Sequence, residues 1–236
     1  MQTQRTDQGR RADRLLDAAA ELLVTGGTRR IRIEDVAAKA GVGKGTVYLH
    51  WSGREHLLLA VGARAAATMF DEVADAVRCD PGEAAPHRYL WRLFLAAFRH
   101  PGLATIFDAG PRELVSFAGQ PERSGLRETK PGAVRDYLCA LSDNGLLRSD
   151  LDLADVDDGM RAVAYGFFAG TASGCYDSSD RVRYRADQLA GVIRRAFEPV
   201  EPPASGRYAA AAPAVIDAFT RLAGEFRRTA YGTAAD

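Results

Sequence analysis

Residues 40–51 read AGVGKGTVYLHW and bring Lys44, Gly45, Thr46, Tyr48 and His50 close together in the chain. These types at this spacing make no nucleophile, phosphate loop or metal site. What they share is an ability to meet a nucleic acid. A lysine neutralises a phosphate or reaches a guanine edge. Gly45, having no side chain, lets the backbone come close to a base. Thr46 suits a thymine methyl or a phosphate. The Tyr48 hydroxyl and the His50 ring donate to phosphate oxygens, which fixes register without reading sequence.

Such residues need a rigid element to present them. In IEDVAAKAGVGKGTVYLHW, residues 33–51, small Ala37 is followed four positions on by Gly41 and six further by Val47. This is helix-turn-helix spacing. Two helices that cross tightly need a small residue at the crossing, and the turn needs one that accepts positive φ. Val36, Ala40, Val42 and Val47 then face inward and the polar set faces out. The period predicts short helices over 33–40 and 44–50. Leu15, Ala18, Ala19, Leu22 and Leu23 predict a helix before them, stopped by Gly26-Gly27. Leu58, Val61, Ala65, Met69, Val73 and Val77 predict a long helix over 54–78, closed by Pro81.

The run from about Asp13 to Val61, carried by LLDAAAELLVTGG, IEDVAAKAGVGKGTVYLHW and REHLLLAV, resembles the DNA-binding domain of the TetR family of transcriptional regulators. The resemblance implies a homodimer and a palindromic DNA operator. It also implies an all-α C-terminal domain that takes a small-molecule effector, and usually repression. An aromatic such as Trp51 ends the recognition helix, and a pair such as Arg54-Glu55 opens the linking helix. The DNA-contacting set is then Arg32, Gly43, Lys44, Gly45, Thr46, Tyr48, His50 and Arg54. Arg32 stands where a capping Ser or Thr is common, and Leu49 where a polar or aromatic residue is common. A ligand-independent or architectural DNA-binding protein is the alternative, with the same head but no pocket.

The rest of the chain also reads as helices. They are expected near 90–98, in one or two pieces over 102–117, over 134–144, 155–176 and 181–197, and from 214 onward. Residues 119–132 read as a loop. No alternating strand pattern appears, so the fold class is all-α: a three-helix N-terminal bundle joined by a long helix to a larger helical bundle. The expected organisation is a flexible arm over 1–10, the reading head over 11–53 and a ligand-binding and dimerisation domain over 54–198. A linker over 199–213 and a C-terminal helix and tail over 214–236 follow. Aromatic residues crowd the body, and Trp91, Phe94, Phe98, Phe107, Tyr137, Tyr165 and Phe168 are the expected lining of an apolar pocket with polar handles.

Residues 155–176 are apolar nearly all round, with Gly166, Gly170 and Gly174 spaced by four. Glycine weakens a helix, so it needs a reason such as close approach of another backbone. The resembled family places its dimer interface on the last two core helices. That assigns Val163, Gly166, Phe167, Gly170, Gly174, Leu189, Val192, Ile193 and Ala196 to an interface between copies.

Composition bounds what else the chain does. Its 236 residues suffice to bury a core. Residues 1–64 carry 11 basic and 7 acidic side chains although the whole chain is neutral, so a basic head sits on an acidic body. No apolar run is long enough to span a membrane. The three cysteines, Cys79, Cys139 and Cys175, are odd in number and widely spaced, as in reduced cytoplasmic proteins. His50, His56, His87 and His100 lack metal-ligand spacing. The acidic run SDLDLADVDDG lacks the closing glutamate of a calcium loop, and helix capping is the reading preferred for it. No nucleophile elbow or dinucleotide fingerprint appears. The expectation is a cytoplasmic non-enzyme with no catalytic residues, metal or cofactor.

Overall fold

The computed structural model describes residues 2–26, 31–100, 124–172 and 179–231. Within them lie nine α-helices and no strand. The reading head holds α1 (Gln2–Gly26), α2 (Ile33–Lys39) and α3 (Lys44–Tyr48). The long α4 (Arg54–Cys79) leaves it. The body follows with a 3-10 turn (Pro81–Ala84), α5 (Pro86–Arg99), α6 (Ser124–Asp143), α7 (Leu153–Ala172), α8 (Ser179–Phe197) and α9 (Ser205–Tyr231).

Two cores share α4. Leu57, Leu58, Ala60 and Val61 at its start join Leu15, Leu16, Leu23, Val36, Val47 and Trp51 in the head. Met69, Phe70, Val73 and Val77 join the body core. One amphipathic helix with buried residues along its length thus belongs to both cores.

Several boundaries differ from expectation. The α1 helix begins at Gln2, so residues 2–10 continue it where an arm is expected. Residues 124–132 belong to α6, with Pro131 inside it, where a loop is expected. The supposed linker is helical from Ser205, and Ala211 and Ala212 are buried. Alanine is the strongest helix former, and the buried stripe that continues through Val215 and Phe219 outweighs the hydrogen bond that Pro213 removes. The helices expected over 102–117 lie outside the described residues.

A carboxylate staples the far end of the body. Glu198, buried at 6% exposure, accepts the His87 backbone N–H at 2.8 Å and lies 2.7 Å from the His87 ring Nδ1. His87 is therefore a satisfied histidine. No helix among the described residues is long and apolar enough to cross a membrane.

Candidate nucleic-acid interface and effector cavity

The turn between α2 and α3 rests on Gly41, which has φ +68. The Val42 N–H donates to Ala37 O at 3.0 Å and the Gly41 N–H to Ala38 O at 3.1 Å, which closes α2. A Cβ at Gly41 would meet nothing within 4 Å, so the constraint on this residue is its φ and not space. Behind the turn Val47 is fully buried, and Ala40 and Val42 are half-buried.

The outer face carries the expected polar set. Gly43, Lys44, Gly45 and Tyr48 are exposed, while Thr46 and His50 are half-buried. Lys44 Nζ pairs with Glu34 Oε1 and lies 5.8 Å from the centre of the Tyr48 ring. The hydrogen bond to Lys44 holds the Glu34 carboxyl below its usual range, and the same bond raises Lys44. Burial, then the nearby Arg11, lowers the His50 pKa, which favours the uncharged ring at neutral pH. Added Cβ atoms at Gly43 and Gly45 would meet nothing within 4 Å, so the fold itself does not demand glycine there.

Two predicted contacts sit differently. Arg32 is exposed at the N-cap of α2 and makes no side-chain cap there; its carbonyl accepts from the Asp35 and Val36 N–H groups. The Arg54 guanidinium is turned inward, with Nε donating to Ile31 O at 3.0 Å and Nη1 to Glu55 at 3.1 Å. Its evident role is to pin the start of α4 to the segment before α2. Leu49, not among the predicted contacts, is 82% exposed beside Tyr48. The only signal for it in the sequence is its place outside the buried period.

A cavity of about 290 Å³ lies where five helices of the body meet. Phe70 of α4, Tyr89, Leu90 and Leu93 of α5, Val134, Tyr137 and Leu138 of α6, Met160, Tyr165 and Phe168 of α7, and Phe219 and Leu222 of α9 line it. Lys130, Asp157 and Arg161 supply charge to the lining, and Arg161 pairs with Asp157. Tyr89 stacks on Phe219 at 4.8 Å and meets the edge of Tyr137 at 5.4 Å. Tyr137 donates to Ala84 O at 3.0 Å. Burial pushes the Tyr89 and Tyr137 hydroxyls up, so both keep their protons.

The predicted pocket set is divided. Tyr137, Tyr165 and Phe168 line the cavity. Phe94 is fully buried behind it, against Phe98 at 4.8 Å and Phe168 at 5.0 Å. Trp91 and Phe98 instead line a groove of about 520 Å³ between α5 and α8, where the Trp91 indole N–H donates to Asp187 at 2.7 Å. A helix turns about 100° per residue, so Trp91 and Phe98 face away from Tyr89 and Leu93. Phe107 lies outside the described residues. The sequence reading missed Phe70, Tyr89, Phe219 and Leu222; their amphipathic period was visible, but the space they face was not.

The expected dimer set is also divided. Leu189 and Ile193 are fully buried inside the protomer, because α8 turns the stripe Ala186, Leu189, Ile193 and Phe197 inward. This corrects their assignment to an interface. Gly166 and Gly170 are exposed, and Val163, Phe167, Val192 and Ala196 are half-buried. Tyr165 and Tyr184 are each 62% exposed. Gly174 lies outside the described residues.

Comparison with known proteins agrees with this geometry. Residues 15–61 match the model of bacterial regulatory proteins, tetR family. No curated protein matches the chain. In fold the chain is similar to SmeT, the repressor of the Stenotrophomonas maltophilia multidrug efflux pump SmeDEF, with 18% identity, TM-score 0.59, and 81% of this chain and 93% of that one covered. It is similar to SmeT in complex with triclosan at 18% identity and TM-score 0.60, covering 82% of this chain and 95% of that one. The ketosteroid transcriptional regulator KstR2 of Mycobacterium tuberculosis gives 21% identity and TM-score 0.51, covering 80% and 95%. Residues 15–61, which hold the helix-turn-helix, thus match the tetR family of bacterial regulatory proteins, and the helical fold as a whole is similar to the folds of these regulators.

Proposed function

We propose that the protein is a transcriptional repressor that binds a palindromic operator as a homodimer and is released by a small apolar or amphipathic ligand. The observation that carries the reading is the pairing of an outward-facing helix-turn-helix with an aromatic cavity, joined by one continuous helix. Lys44, Thr46, Tyr48, His50 and the backbone at Gly43 and Gly45 meet DNA. Arg32 reaches phosphate from the start of α2, and exposed Leu49 offers an apolar contact to a thymine methyl. The cavity is lined mostly by apolar and aromatic side chains with a few charged ones, as effector sites are. The triclosan complex of SmeT, a protein of similar fold, supports a body of this kind taking a small molecule.

The test is selection of DNA from a random pool by the purified chain, followed by thermal shift against a metabolite and drug panel. Recovery of a palindrome, and of a compound that both stabilises the protein and weakens operator binding, is the expected result. A palindrome with no such compound favours a ligand-independent regulator. Failure to enrich any sequence overturns the reading.

Gly45 provides a sharp variant. Gly45→Ala leaves the head as stable or gains up to about 1 kcal/mol from helix propensity, because a Cβ there meets nothing within 4 Å. Operator affinity falls all the same, because the methyl group holds the backbone away from the base. Unchanged affinity in this variant, measured beside its melting curve, removes Gly45 from the interface.

The exposed small-residue face of α7 is where the second copy docks in this reading. A Cβ at Gly166 would meet nothing within 4 Å, so the glycine has no packing reason inside the protomer. Gly166→Arg is therefore expected to leave the fold intact and yield a monomer in light scattering. A Gly166→Arg protein that stays dimeric places the interface elsewhere.

A further inference from the structure

The last helix runs back along α4 and ends in the reading head. Arg78 of α4 donates to Thr220 of α9 at 3.2 Å, Phe70 stacks on Phe226 at 5.6 Å, and Asp71 pairs with Arg227. As the α4 number falls the α9 number rises, so the two helices are antiparallel and α9 points its C-terminus at the head. There the Trp51 indole N–H donates to Ala230 O at 3.0 Å, in a fully buried contact. The last carbonyls of a helix have no partner within it. The segment after the recognition helix thus carries an aromatic side chain that caps the C-terminal end of α9. One residue on, Tyr231 packs against the head core and donates to Asp13 of α1 at 2.6 Å. Burial, then the bond to Asp13, raises the Tyr231 hydroxyl, so it stays a donor.

We infer that Trp51 and Tyr231 are positioning residues, through which the end of α9 fixes the angle of the reading head on the body and with it the operator spacing that the protein accepts. The head is gripped from two sides. The start of α4 enters its core, and the end of α9 holds α1 through Tyr231 and the recognition segment through Trp51. A head attached by α4 alone is free to pivot about a single helix; a second attachment removes that freedom. The same helix lines the cavity with Leu222 and Phe219, about 12 and 16 Å from Ala230 along its axis. This inference rests on the dimeric operator-binding reading above.

The test uses the full chain, its variants, and a DNA palindrome selected by the wild-type protein. The spacer between half-sites is lengthened or shortened by one base pair. A dimer with fixed heads loses the benefit of joint binding when the spacing is wrong, by about a hundredfold. Tyr231→Phe and Trp51→Phe keep the rings and remove the donors, and are expected to narrow the difference between spacers to within about threefold. Asp13→Asn keeps an acceptor oxygen for Tyr231 and is expected to retain the wild-type profile. A merely structural role lowers affinity at all spacings alike and leaves the profile unchanged, which overturns the inference. Should Trp51→Phe fail to fold, by circular dichroism, Tyr231→Phe and a chain ending at Arg228 carry the same comparison. If the wild type selects no DNA or ignores spacing, the dimeric reading itself falls, and this inference with it.

Discussion

Lys44→Ala is expected to weaken operator binding by roughly 5–150-fold per half-site, the range of a single base-edge or charge-assisted contact. Lys44 is the exposed cation of α3 itself, and it already holds a definite pose between Glu34 and Tyr48. On DNA the anion beside it changes from a carboxylate to a phosphate or a guanine edge, so the measured loss is net of the broken Glu34 pair. Tyr48→Phe keeps the ring under the Lys44 ammonium and removes only the hydroxyl. Its expected loss is about tenfold, as for one hydrogen bond to a charged group. Fluorescence anisotropy over a salt series separates the two roles. A lost phosphate contact lowers the slope of log affinity against log salt by about one per protomer, whereas a lost base contact leaves it unchanged. Full affinity in both variants at every salt concentration removes α3 from the interface.

Ligand binding in the body cavity is expected to weaken operator binding by about 5–150-fold, and operator is expected to weaken ligand binding by the same factor. The cavity is lined by Phe70 from α4 and by Phe219 and Leu222 from α9, and both helices continue into the head. A ligand that separates these side chains displaces at least one of the two, and DNA holds the heads where the empty cavity leaves them. The two binding events therefore compete without sharing atoms. The measurement is a pair of titrations: operator with and without the compound that stabilises the protein, and compound with and without operator. Unequal factors point to a compound that also binds elsewhere, and an operator affinity that ignores a bound compound ends its case as an effector. The chain has two tryptophans, so Trp91→Phe leaves Trp51, at the junction of head and α9, as the sole reporter. Its emission is expected to shift with ligand.

The head was legible because its signals are local. Gly41 stands where positive φ is needed, Val47 lies on the buried period, and the polar residues around it fall outside that period. Each of these follows from helical geometry over fewer than about ten residues. The all-helical class and the long α4 were legible for the same reason. The body was legible only as a set of amphipathic faces. A period tells that a face is buried and leaves open what it is buried against. Leu189 and Ile193 read as interface residues and are core, whereas Trp91 and Phe98 read as cavity lining and open on another groove. The 199–213 segment read as a linker because Pro202, Pro203 and Pro213 signal breaks, yet tertiary burial of Ala211 and Ala212 carries the helix through the last of them. The contact between Trp51 and Ala230 joins residues 179 positions apart, and no local pattern encodes it. Chain chemistry set which residues can face DNA. Only the packing of α9 against α4 decided that a helix lining the cavity also touches the head, because a contact across that distance exists only once both cores have formed.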